Sequence, residues 1–220
     1  MNKEKIMKFC IIGLGRFGQQ LAQSLAEHNA EVLAIDADEH EIAAVQNYVT
    51  QAVCTEIIDA SSLEAIGIEE IDVAIIAIGE NIAQSILIAA IIKKRFKHVK
   101  VIARATSQTQ QEILDLLKVD LVVRPEQEAA IDLADTLSSP FHNLARISKS
   151  FSVGLVSVSS NFVGKKIKDL DLFASFKINC IGVKRDKEFI SIHENYTILH
   201  DDELIMSGKN DDIAEFVKRK

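Results

Sequence analysis

The stretch 9-FCIIGLGRFGQQ-20 carries the most informative pattern in this chain. A run of apolar residues leads directly into three glycines, Gly13, Gly15 and Gly18, and then into a segment with helical spacing. An acid, Asp36, ends the next apolar run, 18 residues beyond Gly18. The glycines alone would be a weak signal, but strand, glycine turn, helix and acid in this order are typical of a dinucleotide-binding βαβ unit.

Each part of this motif has a physical role in holding phosphates. The first glycine makes the tight turn, the second lets the backbone approach a pyrophosphate, and the third lets the helix pack on the strand. The phosphates then meet free N–H groups at the positive end of the helix dipole. Asp36 can accept hydrogen bonds from ribose hydroxyls and would repel a 2′-phosphate, which argues against NADP. The acid does not distinguish NAD from ATP or ADP, because both present the same ribose.

The first 125 residues alternate between short β-branched runs and helical segments. The strand-like runs are continuous rather than alternating hydrophobics, as expected of strands covered on both faces. They lie at residues 8–12, 31–36, 51–55, 72–78, 100–105 and 120–125. Segments with helical spacing separate them at residues 16–28, 39–48, 60–66, 82–96 and 107–117. This alternation predicts an α/β fold, a Rossmann-type doubly wound parallel sheet, in a nucleotide-binding domain spanning residues 1–138.

The pattern changes after residue 138. Residues 139–150 are interpreted as a connector or the tail of a helix. Residues 151–220 predict a small α+β domain with strands at 151–158, 178–185, 188–192 and 203–208 and a terminal helix at 210–219. Its core would be too small to enclose a substrate cleft, so a binding or assembly module is the expected role.

Composition excludes several classes of protein. Residues 1–144 carry 12 basic and 21 acidic side chains, and residues 145–220 carry 13 and 11, for an overall formal charge of −7. An acidic first domain repels phosphate backbones, so nucleic acid is a poor partner. The longest apolar runs are seven residues, whereas a membrane span needs about 20, so the chain is not expected to cross a bilayer itself. The scattered cysteines, Cys10, Cys54 and Cys180, are interpreted as reduced core residues.

Chemistry on a bound nucleotide finds no support in the sequence. None of the six histidines has a recognisable spacing to a carboxylate, and no metalloprotease, hydrolase or Walker motif is present. The chain is therefore expected not to be an enzyme. An NAD(H)-dependent oxidoreductase and a free-standing nucleotide-binding module stay open as alternatives. Arg16, inside the glycine motif, is either a solvated surface arginine or a ligand for a terminal phosphate.

Several further segments resemble one family. They are IIGLGRFG (11–18), EVLAID (31–36), VIARA (101–105), RPE (124–126), GKKIKDLDL (164–172), INCIGVKRD (178–186) and LHDDELIMSGKNDDIAEF (199–216). Together they are similar to the regulatory subunits of Ktr/Trk-type potassium uptake systems, the RCK or KTN proteins. The single copy of the two-domain unit resembles the short Ktr-type subunits.

The resemblance implies a function and a set of site residues. It implies a cytoplasmic homodimer that assembles into an octameric ring on the inner face of the membrane, bound to a membrane-embedded potassium-translocating subunit. ATP or ADP, or NAD(H), would bind in the first domain. The nucleotide-binding residues implied are Gly13, Gly15, Arg16, Phe17, Gly18, Asp36, Glu56, Gly79, Asn81 and Arg104. Arg16 would reach the terminal phosphate held by a neighbouring subunit, and Glu126 would hold a divalent cation, Mg²⁺ or Ca²⁺, beside ATP.

One segment departs from the family pattern. Where the family usually has small residues, an acid and a threonine after the third strand, this chain has 54-CTEIID-59. Glu56 keeps an acid, but Ile57 and Ile58 replace small polar residues, which leaves the choice between ATP and NADH open. Some relatives bind cyclic di-AMP through the C-terminal module. Phe173 stands here where an arginine can occur, so that ligand is not carried over.

Overall fold

The computed structural model describes residues 6–138, 142–148 and 150–218 of the chain. The chain divides into two compact units between Glu126 and Gln127. The sequence predicted a boundary at residue 138, at the far end of the helix that begins at Pro125. Where the nucleotide-binding domain ends stays a prediction.

The first unit is a six-stranded parallel sheet with the strand order β3-β2-β1-β4-β5-β6. Its strands are β1 (Lys8–Ile12), β2 (Glu31–Asp36), β3 (Gln51–Cys54), β4 (Val73–Ile76), β5 (Lys100–Arg104) and β6 (Leu121–Val123). Its helices are α1 (Arg16–Glu27), α2 (Glu39–Val45), α3 (Ala60–Ala65), α4 (Ile82–Arg95) and α5 (Gln108–Leu116). A further helix, α6 (Pro125–Ser138), follows β6. The predicted Rossmann-type sheet is confirmed.

Two apolar layers cover the two faces of this sheet. Ile11, Leu14 and Ala34 belong to the layer beneath α1 and α2. Ile76 and Ile88 belong to the layer beneath α3, α4 and α5. Burial on both faces explains why the strands appear in the sequence as unbroken apolar runs.

Short polar side chains begin four of these helices. Asp38, Asp59, Asn81 and Ser107 each accept a backbone N–H of the first turn, so the helices start where the strand-to-helix loops end. Asp59 and Ser62 form a reciprocal capping box. The hydrogen bond from the Ser62 N–H, with one from the Ser61 hydroxyl, lowers the pKa of Asp59.

The second unit contains a five-stranded antiparallel sheet with the order β10-β9-β11-β8-β7. Its strands are β7 (His142–Ser148), β8 (Phe151–Ser157), β9 (Asn179–Arg185), β10 (Glu188–Ser191) and β11 (Glu203–Lys209). Two helices, α7 (Leu172–Phe176) and α8 (Asn210–Lys218), accompany it. Phe216 of α8 stacks on Phe162 with 5.4 Å between ring centroids, in the core of this unit. The predicted small α+β domain is confirmed.

Strand β7 corrects the prediction of a connector or helix tail at residues 139–150. The strand pairs with β8, and it lies at an edge of the sheet. Ala145, Ile147 and Ser148 are exposed, so the segment lacks the alternation that marks a half-buried strand. Residues 139–141 and 149 of the predicted connector lie outside the described residues.

The cysteines also differ from the prediction. Cys10 is buried in the sheet and Cys180 is half-buried, but Cys54 is exposed. Cys54 ends β3, which is an edge strand and has a neighbour on one side only. Burial raises the pKa of Cys10 to about 12 and that of Cys180 to about 11, which makes both thiols inert at neutral pH.

Among the described residues, no helix combines the length and the apolar character that a membrane crossing requires.

Candidate nucleotide site

A cavity of about 800 Å³ opens where β1, β2, β4 and β5 end. The strand order reverses between β1 and β4, and open α/β sheets bind ligands beyond the carboxyl ends of their strands at such a switch point. The volume lies within the range of small-molecule and cofactor sites. All of the lining residues belong to the first unit.

The three glycines of the motif have different surroundings. Gly13 has a φ of +96°, and a Cβ there would lie 2.9 Å from Ile78 Cγ1. A Cβ on Gly18 would lie 2.0 Å from the Gly13 carbonyl oxygen, so Gly18 allows α1 to pack against the turn. A Cβ on Gly15 would meet no atom within 4 Å. Gly15 lines the cavity and is the glycine at which a ligand has open access to backbone.

Asp36 connects the end of β2 to the glycine turn. Its carboxylate accepts the Leu14 N–H at 2.6 Å and the Asp38 N–H at 2.9 Å. A carboxylate offers about four acceptor positions, so it keeps acceptor capacity for ribose hydroxyls.

Arg104, at the end of β5, lies on the cavity wall and forms an ion pair with Glu126. The guanidinium carbon lies 5.9 Å from the centroid of the Phe17 ring, within the range of a cation–π contact. A Cβ on Gly79 would lie 2.6 Å from Arg104 Nη1. The absence of a side chain at Gly79 therefore makes room for the guanidinium.

Arg16 and Glu56 line the cavity and are exposed. Within residues 6–138, 142–148 and 150–218, Arg16 makes no ion pair or hydrogen bond through its side chain. It begins α1, where a cation opposes the helix dipole. The arrangement leaves its guanidinium available to an anion.

Nine of the eleven predicted site residues line this cavity, and Gly18 and Asn81 do not. Asn81 instead caps α4, since its side chain accepts the Gln84 N–H at 3.0 Å. Assigning eight of the other nine to a nucleotide, and Glu126 to a divalent cation, stays a prediction.

The cavity is also lined by five polar residues that the sequence patterns did not indicate: Asp38, Glu41, Thr55, Glu80 and Gln84. Thr55 follows β3 directly, and Asp38 and Glu80 lie in the loops after β2 and β4, positions that could have indicated them. Glu41 accepts a hydrogen bond from Gln19 Nε2, and Gln84 Nε2 donates to the Ile57 carbonyl at 3.2 Å. Glu41 and Gln84 lie inside helices, and nothing in the neighbouring sequence marks them as site residues.

The departure from the family pattern after β3 affects the cavity through Ile57. Ile57 is buried in the core and lines the cavity, whereas Ile58 is exposed and does not line it. Of the two substitutions, the structure therefore brings only Ile57 to the candidate site.

The cavity wall is acidic. Six carboxylates line it, opposed by the two arginines Arg16 and Arg104: Asp36, Asp38, Glu41, Glu56, Glu80 and Glu126. A bare triphosphate would face this excess of negative charge, and a cation bound beside the phosphates would reduce the repulsion. In the described part of the chain, no group of three or more His, Cys, Asp or Glu side chains could hold a metal ion alone.

Sequence comparison finds two domain families in the chain. The TrkA-N domain family matches residues 9–125, and the TrkA-C domain family matches residues 155–220. The chain is 33% identical over 221 residues to the Ktr system potassium uptake protein C of Bacillus subtilis, covering 100% of this chain and 98% of that protein. It is 27% identical over 218 residues to the Ktr system potassium uptake protein A of the same organism, covering 98% of each.

Comparison with solved structures supports the fold. The GsuK channel bound to NAD superposes with a TM-score of 0.64 at 15% identity, and the match covers 97% of this chain and 39% of that chain. The Shewanella denitrificans Kef C-terminal domain in AMP-bound form superposes with a TM-score of 0.53 at 23% identity. This match covers 59% of the present chain and 80% of the Kef chain. The present chain thus spans less than half the length of the GsuK chain.

Proposed function

The chain belongs to the family of proteins that join a TrkA-N domain to a TrkA-C domain, and from this premise we propose that it is a nucleotide-sensing regulatory subunit of a potassium uptake system. The observation that carries the proposal is the similarity to a Ktr system potassium uptake protein over the full length of both chains. Its partner would be a membrane-embedded potassium-translocating subunit, and the chain would lie on the cytoplasmic face of the membrane through that partner.

An adenine nucleotide suits the cavity best. The cavity has the volume and position of a nucleotide site, with the glycine turn on one side and Asp36 at the end of the next strand. ATP and ADP are the proposed ligands, and NAD(H) shares the same adenosine and ribose. The lining residues include no histidine, lysine, tyrosine or cysteine. Carboxylates are therefore the lining side chains that could transfer a proton, and the oxidoreductase alternative is left to the test below.

Arg16 is the proposed sensor of the terminal phosphate. Its exposed guanidinium would reach the outermost phosphate of a nucleotide held by a neighbouring protomer, in a homodimer that assembles into a ring of eight. Charge-assisted hydrogen bonds to phosphate contribute about 1.5–3 kcal/mol. ADP lacks that phosphate and would leave Arg16 without this contact.

A contact of this size at each subunit is sufficient to shift a ring of eight subunits from one conformational state to another. Moving a two-state equilibrium from 1:99 to 99:1 requires about 5.5 kcal/mol of differential binding. Shared over eight sites in a ring that moves as a unit, this is about 0.7 kcal/mol for each site, less than one charge-assisted hydrogen bond.

A divalent cation is proposed to accompany ATP. Glu126 supplies one carboxylate at the cavity, and Mg²⁺ commonly combines one or two carboxylates with substrate phosphates. The acidic wall supports this proposal, because the cation would offset the repulsion between the phosphates and the carboxylates.

The test compares ATP and ADP affinity by calorimetry in the wild-type chain, Arg16→Ala and Arg95→Ala. Arg95 is exposed at the end of α4 and does not line the cavity, so it controls for the loss of one surface cation. We expect a preference for ATP of about tenfold, lost in Arg16→Ala and kept in Arg95→Ala. An unchanged preference in Arg16→Ala would show that Arg16 does not sense the terminal phosphate.

The wider proposal has its own test. If the wild-type chain bound neither ATP, ADP nor NAD(H), nucleotide sensing would be wrong. Consumption of NADH with a substrate would indicate an oxidoreductase. Failure to co-purify with any membrane subunit would favour a free-standing nucleotide-binding module.

A further inference from the structure

Arg104 and Glu126 form an ion pair with each other at the place proposed for the phosphates. The Arg104 side chain is 19% exposed and the Glu126 side chain is 62% exposed. Both residues line the cavity. The glutamate is therefore a mostly solvated partner that can leave the arginine at little cost.

One nitrogen of the Arg104 guanidinium is left out of the ion pair. Its Nε is buried and has no hydrogen-bond partner among the described residues. The guanidinium lies 5.9 Å from the centroid of the Phe17 ring, beside the space left by the missing side chain of Gly79. A buried donor without an acceptor is costly, so a ligand that supplies several acceptor oxygens would be favoured here.

The backbone beneath Arg104 is fixed independently of its side chain. Gln110 is buried, and its Nε2 donates to the Arg104 carbonyl at 3.3 Å while its Oε1 accepts the Thr106 N–H at 2.9 Å. These bonds hold the end of β5 in place. The guanidinium can therefore change its partner without a rearrangement of the strand.

We propose that Glu126 acts as an intramolecular competitor of the nucleotide: a phosphate entering the cavity takes Arg104 from Glu126. The proposal rests on nucleotide binding in this cavity. Glu126 lies in the first turn of α6, so the exchange changes the charge environment at the start of that helix when a ligand binds. The released carboxylate becomes available to a cation that accompanies the phosphates.

The experiment is a double-mutant cycle read by calorimetry with ADP, in buffer that contains a chelator of divalent cations. Its variants are Glu126→Gln, Arg104→Ala and the double variant. Glu80→Gln is the matched control, because Glu80 also lines the cavity and forms no ion pair with Arg104. It removes the same charge without releasing the arginine.

If Glu126 competes with the nucleotide, Glu126→Gln binds ADP more tightly than the wild-type chain does. This gain in affinity should be about fivefold larger than any gain in Glu80→Gln. In the Arg104→Ala background that additional gain disappears, since no arginine remains to be released. Adenosine, which lacks phosphates, should bind Glu126→Gln and the wild-type chain equally well.

Two results would overturn the competition. Equal gains from Glu126→Gln and Glu80→Gln would show simple electrostatic repulsion, and a gain that persists without Arg104 would show that the arginine is not involved. In either case ADP binding by the wild-type chain would leave the proposed function intact. Absence of ADP binding in the wild-type chain would overturn the competition, and it would overturn nucleotide sensing as well if ATP and NAD(H) also failed to bind. Thermal unfolding of each variant separates loss of binding from loss of folding.

Discussion

The Asp36 carboxylate accepts a hydrogen bond from the Leu14 N–H, with 2.6 Å between the nitrogen and Oδ2. The residue that ends β2 thus fixes the turn that follows β1, although the two lie 22 positions apart. One carboxylate therefore organises the glycine turn before any ligand arrives. The same group is the proposed acceptor for ribose hydroxyls.

Replacing Asp36 should affect stability as well as binding. Asp36→Ala leaves the N–H of buried Leu14 without its acceptor, and an unsatisfied buried donor costs about 1–3 kcal/mol. Asp36→Asn keeps a side-chain oxygen and should cost less. Urea unfolding measures the free energy of unfolding of each variant. Equal stability of Asp36→Ala and the wild-type chain would show that this hydrogen bond does not hold the turn.

Gly15 and Gly18 should respond differently to the same substitution. Gly18→Ala places a Cβ 2.0 Å from the Gly13 carbonyl oxygen, and overpacking of this kind typically costs about 1–3 kcal/mol. Gly15→Ala meets no atom within 4 Å and should change stability by less than about 0.5 kcal/mol. Its methyl group would enter the space proposed for the phosphates, so nucleotide affinity should fall. Thermal unfolding and calorimetry measure the two effects, and the prediction fails if Gly15→Ala binds ADP as tightly as the wild-type chain.

Asp201 and Asp202 are neighbours with opposite surroundings. Asp202 is buried and accepts hydrogen bonds from Arg185 Nε at 2.9 Å, the Tyr196 hydroxyl at 2.9 Å and the Leu199 N–H at 2.9 Å. Asp202→Ala leaves these donors without this acceptor and should cost about 1–3 kcal/mol, because the half-buried Arg185 guanidinium can still be solvated. Asp201 is exposed, and Asp201→Ala should change stability by less than about 0.5 kcal/mol. Similar unfolding temperatures for the two variants would contradict this account.

The same cluster predicts a loss of stability at alkaline pH. Burial, and then the hydrogen bond to Asp202, raise the pKa of Tyr196 above its ordinary value. Above about pH 10 the unfolded chain releases this proton while the folded chain keeps it, so stability falls as the pH rises. Tyr196→Phe should reduce the slope of unfolding free energy against pH in this range. Equal slopes in the wild-type chain and Tyr196→Phe would contradict the prediction.

Much of the fold is encoded in local patterns of the sequence. Apolar runs, helical spacing, the glycine turn and the acid after the second strand each depend on residues close together along the chain. They predicted the parallel sheet and the second small domain, both of which the structure has. Strand β7 was missed because its exposed edge position removes the hydrophobic alternation that a sequence pattern requires.

From the sequence alone follow the order of strands and helices and the residues that end β1 and β2, Ile12 and Asp36. Parallel pairing brings the ends of the strands to one edge of the sheet. What the residues at this edge contact depends on tertiary packing. Strands β5 and β6 pair in parallel, and this pairing places Arg104 opposite Val123. Glu126 follows Val123 by three positions, so it lies close enough to form an ion pair with Arg104. Likewise only packing shows that Asn81 caps α4 and does not line the cavity. Contacts of this kind depend on strand order and register, which nothing in the neighbouring residues specifies.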